Sequence, residues 1–326
     1  MLKRLISSRE ALLIAAILAL LALISTRFPG FVAPSNLAAV FNDTAPLILL
    51  AIGQMIVILT RCIDLSVAAN LALTGMVAAM VNLALPGLPV IAILAIAIAL
   101  GTLLGMVNGF LVWKLDIPPI VVTLGTMTIY RGIIFILSDG KWVNSHEMSA
   151  AFKAFPRANL LGLPVMSWIA IAAVILFTLV LSRTTLGRAF YAAGGNPHAA
   201  RYVGIDVGRT QFWAFTISGA LAGLTGYLWV SRYAVAYVDL AGGFELDVVA
   251  ACVIGGVAIM GGVGSVGGAL LGALFLGVIK NALPVVNISP FWQLAISGAA
   301  ILIAVALNAQ ASRSKGRIIL KSAEHA

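Results

Sequence analysis

The apolar runs and charged breaks along this chain are spaced for a membrane and not for a soluble core. From Leu65 to Trp113 there is no Lys, Arg, Asp or Glu. A hydrocarbon layer about 30 Å thick is crossed by about 20 apolar helical residues, so this run can cross twice. Pro86-Gly87-Leu88-Pro89 at its middle supplies the turn. The same marking applied to the whole sequence predicts ten spans, near residues 11–27, 38–60, 65–85, 89–113, 118–138, 163–182, 210–231, 246–262, 265–283 and 289–309. Gly261-Gly262-Val263-Gly264-Ser265-Val266-Gly267-Gly268 separates the eighth from the ninth and reads as a tight turn or as a break within the membrane. The expected fold class is all-α, a polytopic membrane protein with about ten transmembrane helices, in a single transmembrane domain over residues 1–326.

Composition narrows the function. Hydrophobic residues make up 62% of the chain and charged residues 10%, against roughly 25% charged in a soluble domain. The net charge of +9 reads as a topology signal beside anionic lipid, with no nucleic-acid partner implied. Lys3, Arg4 and Arg9, the tail residues Arg313, Lys315, Arg317 and Lys321, and Arg183, Arg188, Arg201 and Arg209 in loop 183–209 fall on one side when the number of spans is even. The positive-inside rule makes that side cytoplasmic and puts both termini there. Loop 139–162, mixed in sign, falls outside. The basic start followed by an apolar run imitates a secretion signal but lacks a small-x-small cleavage site, so an uncleaved first span is expected.

Cys62 and Cys252 sit far apart in apolar sequence, with no metal-ligand spacing, and read as buried thiols. Gly101-Thr102-Leu103-Leu104-Gly105 resembles Gly268-Ala269-Leu270-Leu271-Gly272. This is either an internal repeat or the small-residue spacing that close helix packing needs.

Few residues offer chemistry. No Gly-Lys-Ser/Thr phosphate loop occurs, so no nucleotide site or other cofactor is expected in this chain. His146, His198 and His325 lie outside the predicted spans, and no nucleophile, base or metal set converges, so the chain reads as a non-enzyme. Asp64 and Arg61 sit at a span boundary and read first as an interfacial ion pair, with Asp64 near the positive start of the next helix. Asp43 reads as interfacial or, second, as lining an entry path at the outer face, Glu245 and Asp247 as solvated or as meeting a partner protein, and Trp142, Trp168, Trp229 and Trp292 as belt residues or, second, as stacking platforms for a solute. Polar groups within spans (Gln54, Asn70, Thr74, Asn82, Asn108, Thr123, Thr126, Thr128) suit a neutral solute. An ion-coupled secondary transporter is the alternative. It needs ionisable relays near mid-membrane, where the sequence looks empty of charge.

Gly194-Gly195-Asn196-Pro197-His198-Ala199-Ala200-Arg201-Tyr202-Val203-Gly204-Ile205 predicts a short capped helix. Asn196 is a good N-cap, Pro197 fits the first helical position, and Gly204 with Ile205 can close the C-terminus. Alone, this helix reads equally as an interfacial segment or as a docking element, with Ala199 and Ala200 permitting close approach and Arg201 available to acidic partners.

Four stretches in order resemble the sugar-importing ABC permeases of the ribose, xylose, galactose and rhamnose class. They are Ile63-Asp64-Leu65-Ser66-Val67, then 118–126 (Pro-Pro-Ile-Val-Val-Thr-Leu-Gly-Thr), then Gly187-Arg188 through Ile205, then Gly255-Gly256 followed by Gly261 to Gly268. The resemblance implies a permease subunit in the bacterial inner membrane that carries a monosaccharide inward, with rhamnose the first candidate and a pentose or signal sugar (autoinducer 2) next. Its implied partners are cytoplasmic ATPase subunits that bind the ATP, a periplasmic sugar-binding protein and a second permease chain, alike or different. Gly194, Asn196, Pro197, Ala199, Ala200, Arg201, Gly204 and Ile205 would then couple to the ATPase. Asp64, Gly255, Gly256, Gly261, Gly262, Gly264, Gly267 and Gly268 would serve gating or packing. The class commonly has glycines beside its Ile-Asp-Leu-Ser stretch, where this chain has Arg61-Cys62 and Ala68-Ala69.

Overall fold

The computed structural model describes residues 9–287 together with Ser289, Trp292, Ala295, Gly298 and Ala299. The predicted tenth span at 289–309, the basic tail, His325, Lys3 and Arg4 lie outside the described residues or nearly so.

Among the described residues seven helices are long and apolar enough to cross a membrane. In chain order the helices are α1 (Arg9–Ser25), α2 (Pro34–Leu59), α3 (Val67–Ala84), α4 (Val90–Lys114), α5 (Pro119–Ser138), the short α6 (Ala150–Ala154), α7 (Val165–Arg183), α8 (Thr185–Gly195), α9 (Pro197–Tyr202), α10 (Val207–Tyr233), α11 (Phe244–Ile254) and α12 (Val266–Val285). The seven are α2, α3, α4, α5, α7, α10 and α12, and α1 falls just short at 17 residues. The chain is a multi-pass, all-α membrane protein, with fewer full crossings on view than the ten the apolar runs suggested. The expected eighth span, 246–262, is not one helix. Its helical part stops after 11 residues at Ile254, too few to cross at 1.5 Å each.

Helices α2 and α10 form the centre, and α4, α5 and α7 expose much of their surface in apolar residues such as Leu103, Phe110, Ile129, Phe135, Ile175 and Leu179. With no water to drive apolar faces together, membrane helices associate through close packing of small residues. Here Gly101, Gly105 and Gly109 of α4 lie against Phe212, Phe215, Gly219 and Gly223 of α10, backbone to backbone. The second Gly-x-x-x-Gly copy does similar work, with Gly268 and Gly272 of α12 against Gly255 and Ala251.

The two ends of the bundle differ. One carries α8, α9 and the basic loop 183–209. The opposite end is covered by 139–164, which holds α6 and a two-stranded hairpin, β1 (Asn159–Leu160) with β2 (Leu163–Pro164). There Arg131 donates to the carbonyls of Val238 (2.9 Å) and Leu240 (2.7 Å), pinning the connection from α10 to α11.

Candidate functional site

At the loop end, four segments distant in sequence meet through hydrogen bonds to backbone carbonyls. The turn after α2 is the hub. The Gly262 N–H donates to the Leu59 carbonyl (2.9 Å), and Gln211 Nε2 at the start of α10 donates to the Thr60 carbonyl (3.2 Å). Arg61 Nε donates to the Gly194 carbonyl (2.6 Å) and Arg61 Nη2 to the Gly195 carbonyl (3.1 Å). Tyr191 of α8 donates its hydroxyl to the Gly264 carbonyl (2.9 Å), and burial pushes the Tyr191 phenol above its ordinary value, keeping it a donor. Gly194 has no room for a side chain, since a Cβ there would strike the Leu59 carbonyl and lie 2.6 Å from the Gly262 nitrogen. Gly262 holds a left-handed φ of +75°, which glycine adopts without steric cost.

The Arg61 bonds explain a departure from expectation. Arg61 and Asp64 do not pair. The Arg61 guanidinium is held by the carboxyl-terminal carbonyls of α8, where a cation is favoured. Asp64 is 2% exposed, and among the described residues no cation lies within ion-pair reach of it. Its Oδ1 accepts from the Ser66 N–H (3.0 Å) and the Ser66 hydroxyl (2.6 Å), and its Oδ2 accepts from the Ser218 hydroxyl (3.3 Å). Asn108 Nδ2 donates to Ser66 Oγ (2.8 Å). The Gln54 amide, turned to satisfy both groups, donates to the Asp64 carbonyl and accepts from its N–H. Thr123 donates to the Ile63 carbonyl (3.2 Å). The Ile-Asp-Leu-Ser stretch thus ties α2, α4, α5 and α10 together just above the hub. A carboxylate held only by hydrogen bonds is replaceable by its amide. Asp64→Asn is expected to keep near-native thermal stability in detergent, whereas Asp64→Leu strands the buried Ser66 N–H, at about 1–3 kcal/mol. Equal melting of the two variants would contradict this.

Loop 183–209 holds two helices, α8 and α9, where one was expected. Asn196 caps α9 by accepting from the Ala199 N–H (3.1 Å), Pro197 is its first residue, and Gly204 follows with φ +83°. The Ile205 N–H closes the helix on the Ala200 carbonyl (3.0 Å). Ala200 is buried with Ala193 and Val207, so α9 is seated on α8 and α10, while Arg201, Tyr202 and Val203 are exposed.

The connection 255–265 is compact. The Val257 N–H bonds the Cys252 carbonyl, the Ala258 N–H the Val263 carbonyl and the Gly261 N–H the Ala258 carbonyl. Ser265 caps α12 through the Gly268 N–H (2.9 Å) and donates to Glu10 Oε1 (2.6 Å). Gly256 and Gly261 take positive φ, Gly264 touches Val257, and Gly267 is exposed beside Glu10. Non-helical backbone at membrane depth needs partners within the protein, and here it has them.

Of the three remaining acidic residues singled out in the sequence, two form close ion pairs, while Glu245 is half-buried. Asp43 meets Arg232. Asp247, expected to be solvated, is 4% exposed and bonds Lys280 Nζ (2.5 Å). Both pairs lie toward the opposite end, with Trp229 beside them. Trp142 stacks on Tyr237, and Trp168 donates to the Leu160 carbonyl.

Residues 36–305 match the family described as the branched-chain amino acid transport system / permease component. The chain belongs to this permease family. The permease is 38% identical to the autoinducer 2 import system permease protein LsrC of Enterobacter sp. (strain 638), over 92% of this chain and 86% of that one. It is 36% identical to the ribose import permease protein RbsC of Haemophilus influenzae, over 89% and 90%. It is also 36% identical to LsrC of Photorhabdus luminescens, over 93% and 90%. No solved structure matches. Sequence reasoning singled out the two glycine-bearing stretches of this hub, 187–205 and 255–268, separately. It missed Arg61, Tyr191 and Gln211 as the groups that join them, because the partners of a hydrogen-bonded carbonyl leave no local pattern.

Proposed function

We propose that this chain is the transmembrane permease subunit of an ATP-driven importer of a small, neutral, hydroxyl-rich solute of the monosaccharide class. The observation that carries the mechanism is the hub at Leu59–Arg61. Helix α8 of the basic loop, on which α9 is seated, is joined by backbone contacts to the end of the central span α2 and to the interruption after α11. A push on α9 therefore reaches two transmembrane elements without passing through a flexible linker. Cytoplasmic ATPase subunits would dock on exposed Arg201, Tyr202 and Val203. ATP, bound by those subunits, would favour one of two arrangements of the hub, and only such differential affinity can shift the bundle. Gly255 to Gly268 would serve as the moving interruption, with Asp64 fixing the span ends around it.

The basic side would face the cytoplasm, with both termini there, in a bacterial inner membrane. A periplasmic binding protein would deliver solute at the opposite end, and a second permease chain would complete the pathway. The relatives are named for ribose and autoinducer 2, so the solute class is taken from them and rhamnose is not singled out.

Vesicles holding this chain with its ATPase and binding protein are expected to accumulate ribose or autoinducer 2 only with ATP. In the same preparation Gly204→Val, which forces a branched residue into a left-handed conformation at about 1–2 kcal/mol, is expected to weaken ATPase retention on the permease roughly tenfold. Ion-gradient-driven uptake by vesicles holding this chain alone would overturn the proposal.

A further inference from the structure

A cavity of about 300 Å³ lies at the end of the bundle remote from loop 183–209. That size is at the lower end of ligand pockets, roughly 300–1,000 Å³, and suits one sugar ring. Its walls come from four helices and differ in character. Trp229 and Tyr233 of α10 and Phe244 of α11 form an aromatic side. The Trp229 ring is held in place by Tyr233, centroids 5.5 Å apart, and edge-on by Phe244 at 4.9 Å. Asp43 of α2 and Lys280 and Asn281 of α12 form the polar side.

The charges of this side are matched. Asp43 pairs with Arg232, and Lys280 pairs with Asp247 while lying 5.0 Å over the Phe244 ring. An ionic ligand would have to break one of these pairs, leaving a poorly hydrated charge alone. A neutral polyol need not, because hydroxyls both donate and accept and can bond Asp43 and Lys280 beside their partners. Asn281 Nδ2 is used on the Gly277 carbonyl (2.9 Å), and its Oδ1 has no hydrogen-bond partner among the described residues. A sugar ring has the matching shape, with one C–H face for an aromatic surface and a rim of hydroxyls.

We infer that this cavity is a reception subsite for a neutral monosaccharide-sized polyol, stacked on Trp229 and hydrogen-bonded by Asp43, Lys280 and Asn281. The inference rests on reading the chain as a sugar-import permease and adds to it a residue-level site on the permease itself. Because α11 and α12 both continue to the hub through 255–265, a ligand held between Phe244 and Lys280 touches the two helices that flank the interruption.

The test uses the assembled importer in vesicles with Asn281→Cys and a small cationic methanethiosulfonate reagent. Cys62 and Cys252 are 1% and 0% exposed, so within this chain, whose modification is followed on its separated band, the introduced thiol is the reactive one. D-ribose, D-galactose, L-rhamnose and autoinducer 2 are each added over a concentration series. The expected result is that the solute which the vesicles accumulate with ATP slows modification about tenfold when present well above its dissociation constant, and that adding Trp229→Leu abolishes this protection while Trp229→Phe keeps it. Unslowed modification in vesicles that do accumulate solute would overturn the subsite and leave the importer reading standing. Vesicles that accumulate none of the solutes would remove the importer reading, and the subsite with it. If Asn281→Cys itself blocks uptake, the solute concentration for half-maximal uptake is compared in the Trp229 variants alone. A rise in Trp229→Leu that Trp229→Phe reverses supports the subsite, and equal values overturn it.

Discussion

Replacing Gly105 by Leu is expected to destabilise the fold of this protein strongly. A Cβ at Gly105 would already collide with the Phe215 carbonyl and lie 3.0 Å from the Gly219 Cα. The obstacle is backbone, which cannot rotate aside as a side chain does. Gly101 one turn earlier and Gly109 one turn later make the same kind of contact with α10, so prying α4 from α10 at Gly105 loosens all three. Overpacking costs about 1–3 kcal/mol and occasionally more, and each ~1.4 kcal/mol is a tenfold change in population. The folded-to-unfolded ratio should fall roughly a hundredfold, read as a lower melting temperature and a reduced monodisperse peak after detergent extraction. Gly125→Leu on α5 is the control. A Cβ at Gly125 meets nothing within 4 Å, and its fold should survive. Equal recovery of the two variants would refute the backbone-contact account of the α4–α10 pair.

What the sequence made legible follows from the range of the forces involved. Spans α2 to α5, α7, α10 and α12 were read within a few residues because lipid imposes a run of apolar residues whatever the neighbours are. The capped helix α9 was read because Asn196, Pro197 and Gly204 act on their own backbone. Helix α8 was missed. Thr184 caps it through the Gly187 N–H (3.1 Å), but its glycines disguised it as loop, and Gly187 and Gly194 are there for close contact with other segments. The stop after Ile254 was hidden for the opposite reason. Val257, Ala258, Ile259 and Met260 are apolar, so hydropathy runs straight through a place where the backbone leaves the helix to bond Leu59. Asp64 and Arg61 were paired on proximity in sequence, yet the cation found carbonyls 133 and 134 residues away. Asp247 likewise found Lys280, 33 residues on. Where the partner is distant, the sequence shows a residue that can bond but not which group it bonds.

The same distinction makes Gly194 the sharpest probe of the proposed coupling. Gly194→Val places a branched side chain between the Leu59 carbonyl and the Gly262 nitrogen, where even a methyl has no room. The loop must then move off the end of α2. Two bonds go with it, from Gly262 to the Leu59 carbonyl and from Arg61 to the Gly194 carbonyl. The outer surface of α9 is untouched, since Arg201, Tyr202 and Val203 are exposed and make none of the hub's hydrogen bonds. ATPase subunits should therefore still bind and hydrolyse ATP, while solute moved per ATP falls about tenfold or more, the equivalent of ~1.4 kcal/mol of lost linkage. The adjacent Gly195 is the internal control, because a Cβ there meets nothing within 4 Å and Gly195→Ala should transport normally. The measurement is uptake and phosphate release from the same vesicles. Loss of both in proportion would mean that Gly194 only holds the fold together, and unchanged uptake per ATP would mean that the hub does not carry the stroke.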